Sequence, residues 1–224
     1  RYAQIRDMDI SNGKGIGCSV FLQGCSLNPH CKNCFNKSTW DFNGGYEWTD
    51  KETEQLFEIL RKPYITRASI LGGEPLDQAK ELLPLLSQIR NWNPNLKICI
   101  YSGRTFEENI SVKDKVECLK LCDILVDGRF VDELKDLTLA FRGSSNQRII
   151  DLKKTFKSNK VVLYDLEKED YYKLVIHPVA LCDDMLRKAS CHRDQVYQNM
   201  LQMAECTRQV QGELVTIFHN DILS

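Results

Sequence analysis

The feature that most constrains the fold is an alternation of strand-like and helix-like segments that continues to about residue 166. Apolar runs rich in β-branched residues predict strands at 16–23, 68–73, 96–103 and 122–128. Apolar side chains at helical spacing predict helices at 49–62, 76–90 and 104–121. This alternation is typical of a parallel sheet covered by helices, either an open sheet or a barrel, so we expect an α/β domain.

Three local signals refine this prediction. Thr49 and Glu52 form the pattern of a capping box, which should begin the helix at 49–62. Pro84 should kink or split the helix at 76–90, because proline lacks the backbone N–H donor. The run at 160–164 is the last segment that reads as a strand of this domain.

Charge and cysteine content limit the class of protein. The chain has 30 Lys and Arg against 31 Asp and Glu, so no global field favours nucleic acid or an anionic membrane. No apolar run approaches the roughly 20 residues of a membrane span, and no signal peptide opens the chain. Its 10 cysteines among 224 residues lie well below the roughly 8–10% of a disulfide scaffold. We therefore expect a cytoplasmic protein whose clustered thiols bind metal.

The chemically unusual residues all follow predicted strands. Cys25, Cys31 and Cys34 come after the first strand, residues 72–75 (Gly-Gly-Glu-Pro) after the second, and residues 101–103 (Tyr-Ser-Gly) after the third. The carboxyl ends of parallel strands lie at one edge of a sheet, where α/β folds bind their ligands. These three loops should therefore converge on one site.

The cysteine spacing is compatible with two metal sites. A structural zinc site needs four ligands, which His30 or Cys18 would have to complete. An iron–sulfur cubane held by only three cysteines would leave one iron open for a substrate or cofactor. Spacing alone slightly favours the iron–sulfur cluster and leaves zinc open.

Five motifs, in order, resemble radical S-adenosylmethionine enzymes, specifically the family that activates anaerobic ribonucleoside-triphosphate reductase. They are "NGKGIGCSVFLQGC" (12–25), "CFNKSTW" (34–40), "LGGEPL" (71–76), "ILVDGRFVDELKD" (124–136) and "FRGSSNQRIID" (141–151). The resemblance covers residues 1 to about 166. It implies a partial (βα) barrel of parallel strands with outer helices. One departure is the spacing between Cys25 and Cys31, which is five residues here and usually three in the family.

The resemblance also implies a reaction. Cys25, Cys31 and Cys34 would hold a 4Fe–4S cluster whose open iron binds S-adenosylmethionine. Reductive cleavage of that cofactor would give methionine and a 5′-deoxyadenosyl radical. The radical would take a hydrogen atom from a glycine of the large subunit of the reductase. The electron would come from a low-potential donor such as flavodoxin or ferredoxin.

By the same resemblance, several residues contact the cofactor. Gly72 and Gly73 would let the backbone approach the methionyl group, so a side chain at Gly73 should weaken cofactor binding and spare the cluster. Glu74 would be an anionic acceptor near the ammonium group. The remaining candidates are Ser102, at the third strand end, and the residues around the last ligand: Asn33, Cys34 and Phe35. In the late motifs, buried salt bridges or partner contacts are at least as plausible as chemistry for Asp127, Arg129, Arg142 and Asn146.

The domain division follows from the end of the resemblance. Residues 1–166 are predicted to form the activating domain and residues 167–224 a short α/β appendage with no assigned activity. In the appendage we predict strands at 172–179 and 213–220 and a helix at 192–211, with His177 and His219 as ordinary strand-end residues. Two other functions remain open: activation of another glycyl radical enzyme, such as pyruvate formate-lyase, or a non-catalytic zinc-binding interaction module.

Overall fold

A computed structural model describes residues 1–166 of the chain; the strands, helix and histidines predicted for the appendage lie outside this range. Residues Arg1–Tyr164 form one compact unit. Its centre is a six-stranded sheet in which the strands follow one another in sequence order. The strands are β1 (Tyr2–Asp9), β2 (Gly17–Leu22), β3 (Arg67–Gly72), β4 (Lys97–Tyr101), β5 (Ile124–Asp127) and β6 (Arg148–Asp151).

The four inner strands confirm the predicted parallel arrangement. β2, β3, β4 and β5 pair in parallel, with Leu22 opposite Gly72 and Tyr101 opposite Val126. The two outer strands, β1 and β6, pair antiparallel with their neighbours and were not predicted. The protein therefore has a mixed α/β fold with a parallel centre and antiparallel edges.

Five α-helices accompany the sheet in the described part of the chain: α1 (Asp50–Leu60), α2 (Ala79–Trp92), α3 (Phe106–Asn109), α4 (Lys113–Leu121) and α5 (Leu152–Ser158). The capping box is confirmed, since the Thr49 backbone N–H donates to the Glu52 carboxylate at 2.8 Å. Where one helix was predicted at 104–121, the structure has α3 and α4. A second capping box, Thr105 with Glu108, begins α3, and Ile110 caps its end.

Two other local predictions differ from the structure. Pro84 does not split the predicted helix, because α2 continues through it. The N–H that Pro84 lacks would have bonded the carbonyl of Lys80, which lies in the exposed first turn where water can replace it. Residues 160–164 do not form a strand. They run beside β6 through two backbone hydrogen bonds, from the Asp151 N–H to the Val162 carbonyl and from the Tyr164 N–H to the Ile149 carbonyl, and one isolated bridge.

The core lies on the face of the sheet that the helices cover. Alternate residues of the inner strands, including Val20, Ile70, Ile98 and Ile100, are fully buried there. They join Leu56 of α1 and buried leucines of α2 in one apolar cluster. Complete burial of such a side chain stabilises the fold by about 1.5–3 kcal/mol. The continuous apolar runs that predicted the strands are explained by this packing, because parallel strands are buried on both faces.

A buried arginine lies at the amino ends of β2 and β3. The Arg67 guanidinium, 1% exposed, donates to the Asp9 carbonyl at 2.6 Å and to the Ser69 hydroxyl at 2.6 Å. It also lies 3.7 Å from the Asp9 carboxylate. That carboxylate accepts the Ser11 N–H and the Asn12 side-chain amide, both at 2.6 Å. The amino end of the sheet is thus a network in which the buried carboxylate is fully bonded.

No helix within residues 1–166 has both the length and the apolar character needed to cross a bilayer.

Candidate metal and cofactor site

The three clustered cysteines lie in one loop, residues 24–40, which we call the ligand loop. Its two ends are joined by backbone hydrogen bonds, Gly24 N–H to Thr39 carbonyl at 2.7 Å and Cys25 N–H to Trp40 carbonyl at 3.0 Å. Cys25 is buried, Cys31 and Cys34 are half-buried, and all three are free thiols. The loop therefore presents three cysteine donors from a closed backbone ring beyond the end of β2.

Burial favours the protonated form of two of these thiols in the metal-free protein. Burial raises the pKa of Cys25 and of Cys31 above the ordinary value for a thiol. A bound metal reverses this preference, because coordination deprotonates the thiol. Within residues 1–166, no three His, Cys, Asp or Glu side chains converge on a point where one ion would sit. A cubane attaches each cysteine to a different iron, so its ligands need not meet at one point.

The glycine pair after β3 packs directly on the ligand loop. A Cβ on Gly73 would overlap the Gly24 carbonyl and lie 2.7 Å from the Thr39 carbonyl oxygen. Gly72 has a φ of +120°, and a Cβ there would overlap the backbone of Leu22. This packing argues that a side chain at Gly73 would displace the ligand loop, contrary to the expectation that it would spare the cluster. The missing Cβ leaves room for the backbone of the ligand loop itself.

Glu74, the next residue, is a fully buried carboxylate with one unpartnered oxygen. Its Oε2 atom accepts the Gly103 N–H at 2.7 Å and lies 3.8 Å from the Arg104 guanidinium. Its Oε1 atom has no hydrogen-bond partner among the described residues. Burial raises the pKa of Glu74 to about 7. A buried acceptor without a donor is rare in folded proteins and suits a ligand that brings a donor or positive charge.

Ser102 is buried beside Glu74 at the end of β4. Its hydroxyl oxygen accepts the Arg104 N–H and the Asn109 side-chain amide, each at 3.0 Å. Hydrogen bonds from Gly103 and Ser102 lower the pKa of Glu74, although less than burial raises it. The structure thus brings Cys25, Gly73, Glu74 and Ser102 to one edge of the sheet, as the strand pattern predicted.

Asn33 and Phe35 point elsewhere. Both are exposed, and they contact the chain that follows β5. The Asn33 amide donates to the Asp132 carboxylate at 2.7 Å, and the Phe35 ring lies 5.0 Å from the Phe130 ring. No contact joins either side chain to the glycine pair in the described part of the chain. Their predicted role in seating the cofactor stays a prediction.

The two residues considered as a fourth zinc ligand lie in other surroundings, His30 against Cys25 and Trp40 and Cys18 inside β2. The Nε2 atom of His30 lies 3.0 Å from the Cys25 carbonyl oxygen, and a carbonyl can only accept, so Nε2 carries the proton. The His30 ring stacks on Trp40 with centroids 4.0 Å apart. Cys18 is fully buried in β2, as predicted for a strand residue, and burial raises its pKa to about 12.

The late motifs are held by structural bonds. Asp127 is buried and pairs with Arg148 at 2.5 Å while accepting the Phe106 N–H at 2.6 Å. The Asn146 amide donates to the Arg129 carbonyl at 2.8 Å. Arg142 donates to the Gln147 carbonyl, also at 2.8 Å. The Asp127–Arg148 pair agrees with the expected buried salt bridge. Arg142 and Asn146 instead bond backbone carbonyls, and partner contacts stay a prediction.

Sequence reasoning missed several residues of the site. The Asn36 amide donates to the Gly72 carbonyl at 3.2 Å, and its backbone N–H lies 3.4 Å from the Cys34 sulfur. Its place in the "CFNKSTW" motif was the available signal. Ser26, Asp77 and Arg104 also meet at this edge, but their types and spacing carry no recognisable pattern because the fold alone brings them together.

The chain is similar to known iron–sulfur proteins. Residues 11–150 match a family model described as a 4Fe–4S single cluster domain, which places the chain among iron–sulfur proteins with one cluster. This favours the cluster over zinc, which the spacing had left open.

The chain is 36% identical over 156 residues to the anaerobic ribonucleoside-triphosphate reductase-activating protein of Escherichia coli K12, an alignment covering 68% of this chain and 99% of that protein. The proteins of the same name from Haemophilus influenzae and phage T4 are 32% and 33% identical over 152 and 150 residues. Those alignments cover 66% of this chain in both cases, and 96% and 92% of the relatives. The chain belongs to the family of anaerobic ribonucleoside-triphosphate reductase-activating proteins.

Proposed function

We propose that this protein is a radical S-adenosylmethionine enzyme that generates the glycyl radical on the large subunit of an anaerobic ribonucleoside-triphosphate reductase. The observation that carries the proposal is the placement of three free thiols beside a buried, half-bonded carboxylate at the ends of parallel strands. Family membership supports the same conclusion. The finer fold assignment, a partial (βα) barrel of the radical S-adenosylmethionine type, belongs to this proposal.

The donor set fits a cluster with one open iron. Cys25, Cys31 and Cys34 would bind as thiolates, and three ligands for four irons leave one position for the cofactor. When bound, the cluster supplies the electron that cleaves a carbon–sulfur bond of S-adenosylmethionine, giving methionine and a 5′-deoxyadenosyl radical that abstracts hydrogen from the partner glycine. The protein contributes binding, orientation and exclusion of water.

The residues at this edge then have separate tasks. Glu74 would accept an N–H of the cofactor's amino group through its free Oε1 atom, since that acceptor is buried and unpaired. Ser102 and Gly103 hold Glu74 in place through the hydrogen bonds described above. Gly72 and Gly73 keep the second loop in contact with the ligand loop, so the carboxylate and the three thiolates stay in fixed positions. Asn33, Cys34 and Phe35 remain proposed cofactor contacts.

The partners and location follow from the proposed reaction. The reductase large subunit supplies the glycine, and a low-potential donor such as flavodoxin or ferredoxin supplies the electron. We propose that residues 1–166 are the activating domain, that residues 167–224 are an appendage, and that the protein works in the cytoplasm.

Anaerobic reconstitution tests the proposal. Protein loaded with iron and sulfide should be brown and should contain about four irons per chain, as a single 4Fe–4S cluster requires. Incubation with a reductant, S-adenosylmethionine and the reductase should yield a glycyl radical signal by electron paramagnetic resonance. Omission of S-adenosylmethionine and the Cys34→Ala variant serve as controls. A colourless zinc protein, or a loaded protein that neither cleaves the cofactor nor gives the radical, would contradict the proposal.

A further inference from the structure

The segment between the first two cysteines, Ser26–His30, contacts every neighbouring strand end. We call it the spacer. It has five residues where the family usually has three, and it includes the cis Asn28–Pro29 peptide. His30 contacts Cys25 and Trp40 within the ligand loop, and the rest of the spacer reaches the loops after β3, β4 and β5.

The first set of contacts is a closed triangle of hydrogen bonds among Ser26, Asp77 and Arg104. The Ser26 N–H donates to the Asp77 carboxylate at 2.8 Å, and the Arg104 guanidinium donates to the Ser26 hydroxyl at 2.8 Å. The same guanidinium donates to Asp77 at 3.0 Å. The Arg104 and Asp77 side chains are 21% and 10% exposed, so the pair is mostly screened from water. Charge-assisted bonds in such surroundings are stronger than those of exposed pairs.

The second set of contacts extends the spacer over the cofactor site. Leu27 packs on Gly103, where an added Cβ would lie 2.5 Å from the Leu27 Cδ1 atom. Gly103 is the residue whose N–H bonds Glu74. Further along, the Arg129 guanidinium donates to the Pro29 carbonyl at 2.9 Å. The spacer therefore bridges the ends of three strands and covers Gly103, the residue whose N–H bonds the Glu74 carboxylate.

We propose that the spacer is a clasp across the strand ends and that Arg104 is its positioning residue. This inference rests on the proposed function and assigns Arg104 no contact with the reacting atoms. Arg104 holds Ser26, which is adjacent to the ligand Cys25, and lies 3.8 Å from Glu74 Oε2. One side chain thus fixes a cluster ligand relative to the carboxylate that would bind the cofactor.

The remaining contacts allow the domain to fold without Arg104. The ends of the ligand loop stay closed by the backbone bonds of Gly24 and Cys25. The Asp77 carboxylate keeps its ion pair with the Lys115 ammonium group, 3.9 Å away. Loss of the guanidinium should therefore loosen the spacer while the sheet and its core remain intact, which separates a positioning role from a purely structural one.

Thiol accessibility in the metal-free protein tests the clasp directly. Iodoacetamide modification, followed residue by residue by mass spectrometry, gives the ratio of the Cys25 rate to the Cys34 rate. Arg104→Ala should raise this ratio about tenfold, because bonds to charged groups contribute more than 1.4 kcal/mol to keeping the segment closed. Ser26→Ala should raise it less, and Arg104→Lys should restore part of the protection.

The matched control is Arg90→Ala. Like Arg104, Arg90 bonds a buried carboxylate: its guanidinium donates to Asp123 at 2.9 Å and to the Leu121 carbonyl at 2.6 Å. Unlike Arg104, it lies near the amino ends of the strands, away from the ligand loop. This variant should lose stability without changing the ratio of the Cys25 rate to the Cys34 rate. An unchanged ratio in Arg104→Ala, or an equal rise in Arg90→Ala, would overturn the clasp.

A second readout uses the reconstituted protein. Arg104→Ala should retain its iron and bind S-adenosylmethionine about tenfold more weakly by equilibrium dialysis, with KM raised more than kcat is lowered. Unchanged affinity would overturn the positioning role. Failure of the unmodified protein to load iron or cleave the cofactor would instead contradict the proposed function, while the modification experiment would still decide the clasp.

Discussion

Asp9 and Glu74 are buried carboxylates at opposite ends of the parallel strands, and they are bonded differently. Asp9 lies at the amino end, where both oxygens accept hydrogen bonds and two arginines, Arg6 and Arg67, lie within 3.7 Å. Glu74 lies at the carboxyl end, where only Oε2 is bonded and one arginine lies 3.8 Å away.

The pKa values move in opposite directions. Burial alone would raise the pKa of Asp9, but hydrogen bonds from Ser11 and Asn12 outweigh it and hold the pKa below its ordinary value. Burial raises the pKa of Glu74 to about 7, because too few donors oppose it. Glu74 is the more deeply buried group and has fewer donors, so both differences raise its pKa relative to that of Asp9. Complete bonding marks a structural carboxylate, and incomplete bonding marks one that awaits a ligand.

The largest effect on cofactor cleavage should come from substituting the cysteines. Those beyond the carboxyl end of β2 should be essential, and Cys18, inside β2, should not. Cys25→Ala, Cys31→Ala and Cys34→Ala should each abolish cofactor cleavage, because a three-thiolate site has no spare ligand. Cys18→Ala, toward the amino end, should keep its iron and lose only about 1 kcal/mol of stability. Iron analysis and product assay after anaerobic reconstitution measure this. Loss of iron in Cys18→Ala with retention in Cys31→Ala would reverse the ligand assignment.

Gly73→Val should remove most of the iron together with cofactor binding. The new Cβ would overlap the Gly24 carbonyl, next to the first ligand, so the ligand loop must move. Gly128→Ala is the control, since its φ of +98° also disfavours a side chain but the nearest atom to its Cβ, Gln147 Cα at 3.6 Å, lies outside the ligand loop. Iron content and cofactor affinity are measured in both variants. A folded Gly73→Val protein with full iron would contradict the close packing.

Arg67→Met should destabilise the amino end alone. Removal of one partner from a buried ion pair costs about 3–5 kcal/mol of unfolding free energy. Cofactor affinity in the folded protein should stay within about twofold, because distant sites act independently. Urea unfolding and equilibrium dialysis, both anaerobic, measure the two quantities. A large loss of cofactor affinity in fully folded Arg67→Met protein would show that the amino and carboxyl ends of the strands are coupled.

Glu74→Gln should weaken cofactor binding about tenfold to a hundredfold, the range for a bond to a charged group. In the unmodified protein the folded state holds an extra proton between pH 4.5 and about 7. Stability should therefore fall as the pH rises through that window, whereas cofactor affinity should increase. Titration of affinity from pH 5 to 8 checks the sign, and Glu74→Gln should remove the slope. A slope that persists in the variant would assign it to another group.

Truncation after Glu167 should have the smallest effect. Both carboxylates and all three ligand thiols lie before residue 75, and the late motifs end at residue 151. The truncated protein should load its cluster, cleave the cofactor and activate the reductase as the full chain does. Iron content, cofactor cleavage and radical yield are compared with those of the full chain. Cleavage without activation would show that residues 167–224 dock the partner.

Periodicity was sufficient to predict the parallel centre of the fold. β2 to β5 are apolar because they are buried on both faces, and their ends carry the residues that the sequence singled out. The edge strands were missed for physical reasons. β1 is mostly polar and half exposed, and β6 has only two apolar residues, Ile149 and Ile150, between charged ones, so neither gives a strong periodic signal.

The sequence predicted the candidate metal and cofactor ligands of the site, but it did not predict the residues that hold those ligands in position. Cys25, Glu74 and Ser102 follow strands, and the topology places them together. Arg104 and Asp77 belong to different loops, 27 residues apart in sequence, and only the folded backbone brings them to Ser26. Asn33 and Phe35 were selected for their adjacency to a ligand in sequence, and the contacts they make are with Asp132 and Phe130 in the chain after β5.

The strict sequential order of the sheet affects how the chain assembles during synthesis. Each strand pairs with the one made just before it, so the sheet can grow as the ribosome extends the chain, although the connection between β2 and β3 spans residues 23–66. The ligand loop emerges early, after β2, but Arg104, Arg129 and Asp132, which hold it, emerge much later. Nascent chains therefore carry exposed thiols until about residue 132 has been made, and cluster insertion best follows that point.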